Sequence, residues 1–372
     1  MKILYVAGRW DPRDHNQASG TDYEIFQALK KEGADVDVTG PFRFPFSRLE
    51  LIIKEIYKRL FRKVLFKYPI TYFRKSAAII NKAVQSKDYD LIVSFYSAPL
   101  LFANFTQPFL YICDATAKWV QKDWKNRAWI TYETMYRWEK QVIKKASFII
   151  TFSKSNAQVI QDEYLVPEQS IAVLPMPASI PQEIIAARLP SRKDLSPLKL
   201  LLVGRDFKRK GIDIAIQVNN ILRSRGIDSH LRIVGLEGND VEGVQYMGYY
   251  NKTIPSELKE YVENYKWANF LLHPARFEAA GIVPSEAAAF GVPTLTNKVG
   301  GLNTTVQDGV SGIVLPKASP ADDYAQVIME LISDPNQYYT LVKTSLERYR
   351  KELNWSVLGK KIYNIASNLI GK

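Results

Sequence analysis

One strand-to-helix passage constrains the fold more than any other part of the chain. Phe270, Leu271 and Leu272 form a short apolar run that suits a buried strand. A polar loop with Arg276, Glu278 and Gly281 follows. Pro284 and Ser285 then mark a helix start, with Glu286 in its first turn, and Gly291 and Pro293 stop it. The same alternation runs through the sequence. Strands are expected at 2–7, 34–39, 91–94, 109–112, 147–152 and 171–174, then at 198–203, 231–234, 244–247, 270–273, 293–297 and 313–315, with helical patterns between them. Such alternation predicts α/β architecture with doubly wound parallel sheets. A length of 372 residues suits two domains. Pro175, Pro177, Pro181, Pro190 and Pro197 punctuate the connection between them. The expected division is 1–177 and 178–354.

In parallel α/β sheets, ligands bind outside the carboxyl ends of the strands, where the 274–281 loop would lie. The amides of Ala280, Gly281, Ile282 and Val283 would there face an anion. A carboxylate accepts two hydrogen bonds at once, so it suits a vicinal diol. Beside an anion site, Glu286 could take a ribose diol and Glu278 the hydroxyls of a sugar. The plainer alternative makes Glu286 a helix-start acid and Glu278 a solvated loop acid.

Glu278 and Glu286 stand at the two positions of an E-x7-E signature, and four further segments accompany it in order. These are Val203-Gly204-Arg205 with Lys210-Gly211, Gln245-Tyr246-Met247-Gly248, Gly300-Gly301-Leu302, and Asp308-Gly309-Val310-Ser311-Gly312. The chain therefore resembles the retaining glycosyltransferases of family 4. The resemblance is strongest over 198–315 and looser over 139–177. It implies the GT-B fold: two Rossmann-like domains facing a central cleft, with a last helix at 355–372 crossing back to the first. It assigns acceptor recognition to the first domain and a nucleotide-sugar donor to the second, with Arg205 and Lys210 on the diphosphate and Gly204 beside them. Gly20, which opens a helix after the polar loop 8–19, stands where the family's glycines approach the donor phosphates. A turn glycine is the competing reading. By position, Tyr249 and Tyr250 could line the base pocket. Cys113 stands where the family has a histidine, and Asp114 could bind the acceptor or donor sugar or cap a helix. Uracil is the commoner base among such enzymes. The resemblance implies retention of anomeric configuration; with no obvious side-chain nucleophile, a front-face mechanism is expected.

With three histidines and one cysteine, a His/Cys metal cluster is improbable. Asp35-Val36-Asp37 and Asp88-Tyr89-Asp90 mimic D-x-D metal sites but sit at strand ends, where solvated acids are expected. Fixed cations can replace a metal at a leaving diphosphate, so no metal or cofactor is expected. His15 reads as a surface residue. The single Cys113 fits a reducing, cytoplasmic setting, the first apolar run is too short for a signal peptide, and no stretch of 18 apolar residues spans a membrane.

The net charge of +12 points to an acidic partner: nucleotide, nucleic acid or anionic membrane. The donor reading favours a nucleotide sugar, a glycan or lipid-linked acceptor and a membrane surface over nucleic acid. Residues 48–67 carry seven basic and two acidic residues. Leu49, Ile52, Ile53, Ile56, Leu60 and Val64 fall on one helical face, with Lys54, Arg59 and Arg62 mostly on the other. Phe61, Phe66, Tyr68, Tyr72 and Phe73 add aromatics. The stretch reads either as a helix for an anionic membrane interface or as an ordinary helix packed on the first domain. Trp119, Trp124, Trp129, Tyr132, Tyr136 and Trp138 read as core packing or as a stacking surface for an acceptor. Two other functions compete: a sugar-nucleotide epimerase of similar fold, and a non-catalytic membrane- or polyanion-binding protein.

Overall fold

The computed structural model describes residues 1–15, 17, 20–61, 65, 68–123, 129–185 and 194–371. Arg62, Val64, Phe66, Trp124 and Pro190, named above, lie outside the described residues, as do parts of the stretches 8–19 and 48–67. The chain forms two compact units. One comprises Met1–Leu174 with Leu358–Lys372, the other Pro175–Val357.

The N-terminal unit is built on a parallel sheet of β1 (Lys2–Val6), β2 (Asp35–Thr39), β3 (Leu91–Ser94), β4 (Phe109–Cys113), β5 (Phe148–Thr151) and β6 (Ile171–Val173). Its order is β2-β1-β3-β4-β5-β6. The central strands β3 and β4 are fully buried and, apart from Ser94, carry no small polar side chain, as expected where helices cover both faces. The helices are α1 (Thr21–Lys31), α2 (Arg48–Phe61), α3 (Tyr72–Ser86), α4 (Ala117–Asp123), α5 (Trp129–Ile143) and α6 (Lys154–Tyr164).

The second unit repeats the plan with β7 (Leu198–Val203), β8 (Ser229–Val234), β9 (Val244–Tyr246), β10 (Phe270–His273), β11 (Thr294–Asn297) and β12 (Gly312–Leu315). Its order is β12-β11-β10-β7-β8-β9. The helices are α7 (Ile212–Ser224), α8 (Pro255–Trp267), α9 (Ile282–Ala289), α10 (Leu302–Thr305), α11 (Ala321–Ser333) and α12 (Pro335–Lys351). One apolar layer, with Leu200, Leu202, Ile212 and Ile328, packs on one face of the sheet. A second, with Leu201, Val203, Tyr265 and Leu271, packs on the other. The strands and the doubly wound plan are those the alternation predicts. The final helix, α13 (Trp355–Leu369), brings Gly359 close against Ala28 of α1, where an added Cβ would lie 2.8 Å from the Ala28 Cβ.

In the second sheet, β7 and β10 are neighbours although two strands and two helices separate them in sequence. The strand order reverses between them, so the loops after β7 and β10 open side by side at the topological switch point. Gly211 shows how closely these loops approach. Its φ is +71°, and a Cβ there would sit 2.0 Å from the Pro274 carbonyl oxygen. Gly211→Ala should therefore cost about 1–3 kcal/mol, the usual range for overpacking, read as a lower urea midpoint with an unchanged m-value.

Three sequence readings meet a different outcome. Helix α9 begins at Ile282, two residues before Pro284, because Gly281 takes a left-handed cap conformation with φ +84°. Pro284 fits inside the first turn, where its missing N–H costs no helical hydrogen bond. Glu286 consequently lies in the second turn, beyond the strongest reach of the helix dipole. The alternative of α2 as a helix packed on its domain is not what forms: Leu49, Ile52, Ile56 and Leu60 are each more than half exposed, and Glu50 is its one buried side chain. Of the D-x-D acids, Asp35 and Asp88 are exposed as expected, but Asp37 and Asp90 have partners. Asp37 accepts from Lys87 at 2.6 Å and Tyr89 at 2.9 Å, and Asp90 accepts the Lys2 amide at 2.7 Å. Among the described residues, no helix is long and apolar enough to cross a membrane.

Candidate active site

The loops after β7 and β10 are stitched together by their own backbones and cations. The Arg276 amide donates to the Arg209 carbonyl at 2.8 Å. The Arg276 guanidinium reaches the Lys208 carbonyl at 2.7 Å and clamps Asp213 at 2.7 and 2.9 Å. Burial works to raise the Asp213 carboxyl, but Arg276 and Lys208 outweigh it and hold the group down at about 2. The stitching positions Lys210 and Glu278, which form a charged hydrogen bond through Nζ and Oε2.

Glu278 is the focus of the cations here. Arg209 Nη1 and His273 Nε2 each lie 3.5 Å from its Oε2. Burial pushes its carboxyl upward, yet Lys210 first and His273 second hold it well below the usual carboxylate range. His273, 1% exposed, is pushed down by burial and by Lys210. Arg209 is thus held at Glu278 with about a quarter of its side chain exposed. Its head also donates to the Phe277 carbonyl at 3.4 Å. Lys208 is exposed and pairs with Asp213 at 2.9 Å. Gly204 is buried at the foot of Lys210, where a Cβ would meet Lys210 Cγ at 2.6 Å.

Glu286 is fully buried. Its Oε2 accepts from Tyr261 at 2.6 Å and Tyr265 at 2.8 Å, and its Oε1 from Lys252 at 2.9 Å. The two tyrosines sit four residues apart on α8, hence on one helical face. Lys252 keeps about a quarter of its side chain exposed, so it is the partner most readily exchanged. Tyr250 meets Tyr261 edge-on at 6.3 Å, and Arg205 lies over the Tyr249 ring with its Cζ 3.7 Å from the centroid. Gly281 caps α9, and no acceptor among the described residues takes the amides of Ala280, Gly281, Ile282 or Val283. Sequence reasoning missed Tyr261, Tyr265, Lys252 and His273. The i,i+4 tyrosines were the one legible signal among them.

The remaining expected residues lie in the N-terminal unit. Gly20 is left-handed (φ +79°) and opens α1, with its amide given to Gln17 at 2.9 Å. Asp114 is half-buried and lines a cavity of about 220 Å³ that also reaches Cys113 and Glu139. Glu139, a buried acid the sequence did not single out, accepts from Tyr164 and, at 2.8 Å, from the Ala117 amide that begins α4. Burial, with Glu139 nearby, pushes the Cys113 thiol well up. His15 lies 3.8 Å from Glu24. Trp119 and Tyr132 are core, Trp129 is exposed, and Trp138 packs edge-on against Phe73.

Two family models match this chain: "Glycosyl transferases group 1" over residues 185–348 and "Glycosyltransferase Family 4" over residues 23–179. A D-inositol 3-phosphate glycosyltransferase of Nocardiopsis dassonvillei is 27% identical over 247 residues, covering 60% of this chain and 56% of that protein. The chain spans about half the length of the curated relatives it matches. Sucrose-phosphate synthase of Thermosynechococcus elongatus superposes with a TM-score of 0.71 at 20% identity, covering 100% and 99% of the two chains. Anabaena HepE, solved with UDP, gives 0.64 at 17%, covering 99% and 100%. The architecture is the two-unit, Rossmann-like GT-B fold. The chain belongs to the family 4 glycosyltransferases.

Asp22, in the first turn of α1 and two residues after Gly20, generates a pH dependence. It is 1% exposed, Tyr5 donates to its Oδ1, and its Oδ2 has no hydrogen-bond partner among the described residues. Burial dominates and, despite the Tyr5 bond, lifts its carboxyl to about 7. The folded chain then keeps a proton that the unfolded chain releases near pH 4. Stability should fall as pH rises from about 4 to 7, by at most about 1.4 kcal/mol per unit. Urea unfolding at pH 4.5 and 8 should show Asp22→Asn flattening that decline.

Proposed function

We propose that the chain is a retaining, metal-independent glycosyltransferase that moves a hexose from a nucleotide sugar, UDP-linked, to a glycan or glycolipid acceptor in cell-surface polysaccharide synthesis. One observation carries the reading: Lys210 meets Glu278 at the switch point of the second sheet, and the same two strand-end loops carry Arg205 and lead to the free amides at the start of α9. A diphosphate there meets cations and amides together. Lys210, now on Glu278, would turn to the diphosphate, and Glu278 would accept the sugar hydroxyls. Arg209 and His273 stay beside that carboxylate. Glu286 would take the ribose diol in exchange for Lys252, still oriented by Tyr261 and Tyr265, while Tyr249 and Tyr250 flank the base. HepE, solved with UDP, supports the choice of base. Asp114 would hold the acceptor in the N-terminal unit.

The reaction proceeds on one face of the sugar. The bond from the anomeric carbon to the diphosphate oxygen breaks as the acceptor oxygen bonds to that carbon. The acceptor proton passes to the departing diphosphate. Arg205, Lys210 and the α9 amides offset the charge that develops on the leaving group. No metal is needed for this charge balance. The setting is cytoplasmic, with α2 resting on an anionic membrane surface.

Glu278→Ala should reduce turnover strongly while UDP still binds. Glu286→Ala should weaken UDP by roughly 1–3 kcal/mol, the scale of lost charged hydrogen bonds, as measured by calorimetry. Arg205→Ala and Lys210→Ala should each cost on the order of 10²–10³ in turnover, and activity should survive EDTA. Loss in EDTA with rescue by Mn²⁺ would overturn metal independence. UDP release without any acceptor product would favour an epimerase or hydrolase.

For the membrane contact, each cation near an anionic surface contributes about 1 kcal/mol, screened by salt. Lys54→Glu, Lys58→Glu and Arg59→Glu combined should abolish co-sedimentation with anionic liposomes at low salt and leave UDP binding intact. A parent protein that stays in the supernatant would end the membrane reading.

A further inference from the structure

The N-terminal unit contains a larger cavity that none of the assigned roles uses. It encloses about 570 Å³ between the start of α3, the 101–102 turn and α5. That volume lies within the usual range for small-molecule sites, roughly 300–1,000 Å³. Its walls are apolar and aromatic, including Phe73, Leu101, Phe102, Ile130 and Trp138. Two threonines on α5 that line it spend their hydroxyls on backbone carbonyls, Thr131 on Leu65 at 2.6 Å and Thr134 on Ile130 at 2.7 Å. Among the described lining residues, Arg74 alone is charged, and it is exposed. A wall that offers so few hydrogen bonds penalises a polar occupant and favours hydrocarbon.

A second cavity adjoins it. The larger cavity shares Tyr68, Phe73, Leu101, Met135 and Trp138 with the smaller cavity that reaches Asp114 and Glu139. One cavity is therefore apolar and the other carries carboxylates suited to sugar hydroxyls. At the apolar cavity, Ile70, Phe102 and Ile130 form an exposed rim, 72%, 52% and 49% accessible. Glu50, the one buried side chain of α2, accepts the Ile70 amide at 2.7 Å. The exposed apolar stripe and the cations of α2 thus begin at the rim of the cavity.

We propose that this cavity binds the hydrocarbon chain of a lipid-linked acceptor, with the sugar head in the smaller cavity at Asp114. The proposal rests on the glycosyltransferase reading and narrows its acceptor to an amphiphile with an acyl or isoprenoid tail. An amphiphile matches the two adjoining cavities at once, which a free glycan does not. The basic helix at the rim would meet the anionic headgroups from which such a molecule is drawn. A second copy of this chain is a poorer occupant, because it would bring the same +12 charge and the same basic helix to the contact.

The test uses the whole chain and needs no turnover. Binding of dansyl-undecanoic acid is followed by fluorescence and competed with free n-alkyl glucosides of increasing length, below their micelle concentrations. Each buried methylene contributes about 0.8 kcal/mol, so affinity should rise about fourfold per CH2 until the cavity is filled. Phe102→Asp and Ile130→Asp, both at exposed positions, should weaken the probe at least tenfold. Ile52→Asp with Ile56→Asp on α2 should lower vesicle binding and leave the probe unchanged. Calorimetric UDP binding reports folding and the donor site in every variant. A parent that binds UDP but shows no dependence on chain length overturns the lipid cavity and leaves the glycosyltransferase reading standing. So does equal probe affinity in the parent and Phe102→Asp, or a dimer whose formation buries Ile130 and excludes the probe. Failure to bind any nucleotide, with chain-length dependence intact, overturns the enzyme reading instead.

Discussion

The Lys210 ammonium and the Glu278 carboxylate meet across two loops whose residues lie 68 positions apart in sequence. The pair lies in a partly closed environment where removal of either charge leaves the other poorly solvated, a loss that for buried pairs amounts to about 3–5 kcal/mol. The Arg276 clamp on Asp213 and the close pass of Gly211 under Pro274 bring the loops to this distance. The pair is therefore both a fastening and a stored site. In the proposed reaction, its two members are the groups that a phosphate and a sugar hydroxyl would each draw away.

Sheet order explains why these loops, and not others, meet. In the order β12-β11-β10-β7-β8-β9, the chain winds outward in one direction from β7 and then returns to start again at β10. Loops elsewhere in the sheet lead to helices on a common course. At the reversal the two loops diverge onto opposite faces and leave a crevice between them. Free amides at the α9 start add a fixed partial positive charge there. The electrostatic character of the site thus follows from topology before any single cation is counted.

The N-terminal unit solves a different problem. Its sheet is covered, but α2 keeps its apolar stripe outside. The helix starts on a capping box: Ser47 and Glu50 exchange side-chain and backbone hydrogen bonds at 2.7 and 3.3 Å. Glu50 spends its other oxygen on Ile70. The helix is fixed at its first turn and free along its apolar face. An exposed stripe of this size is unusual on a surface that meets only water. Cations interleaved with it disfavour its burial in a hydrophobic core, and the proposed membrane contact would cover it.

Much of this was legible in the sequence by itself. Apolar runs four to six residues long, separated by helical patterns, determined the strands, because burial on both faces leaves a short-range signature. Gly291 marked the end of α9 through a backbone conformation that side chains resist. The seven-residue spacing of Glu278 and Glu286 placed one acid on a loop and the other on the helix after it. Only the tertiary structure decided what each acid touches. Glu286 proved to be wholly buried against Tyr261 and Tyr265, and Arg209 to be drawn onto Glu278. The helix start moved two residues because a left-handed glycine, rather than the proline, sets the cap. The apolar cavity of the N-terminal unit was equally invisible, since its walls come from α3, the 101–102 turn and α5. Periodicity and turn chemistry are local and can be read in a window of a dozen residues. Contacts between loops 68 positions apart depend on strand order and on how layers pack, and these are settled only when the whole chain closes on itself.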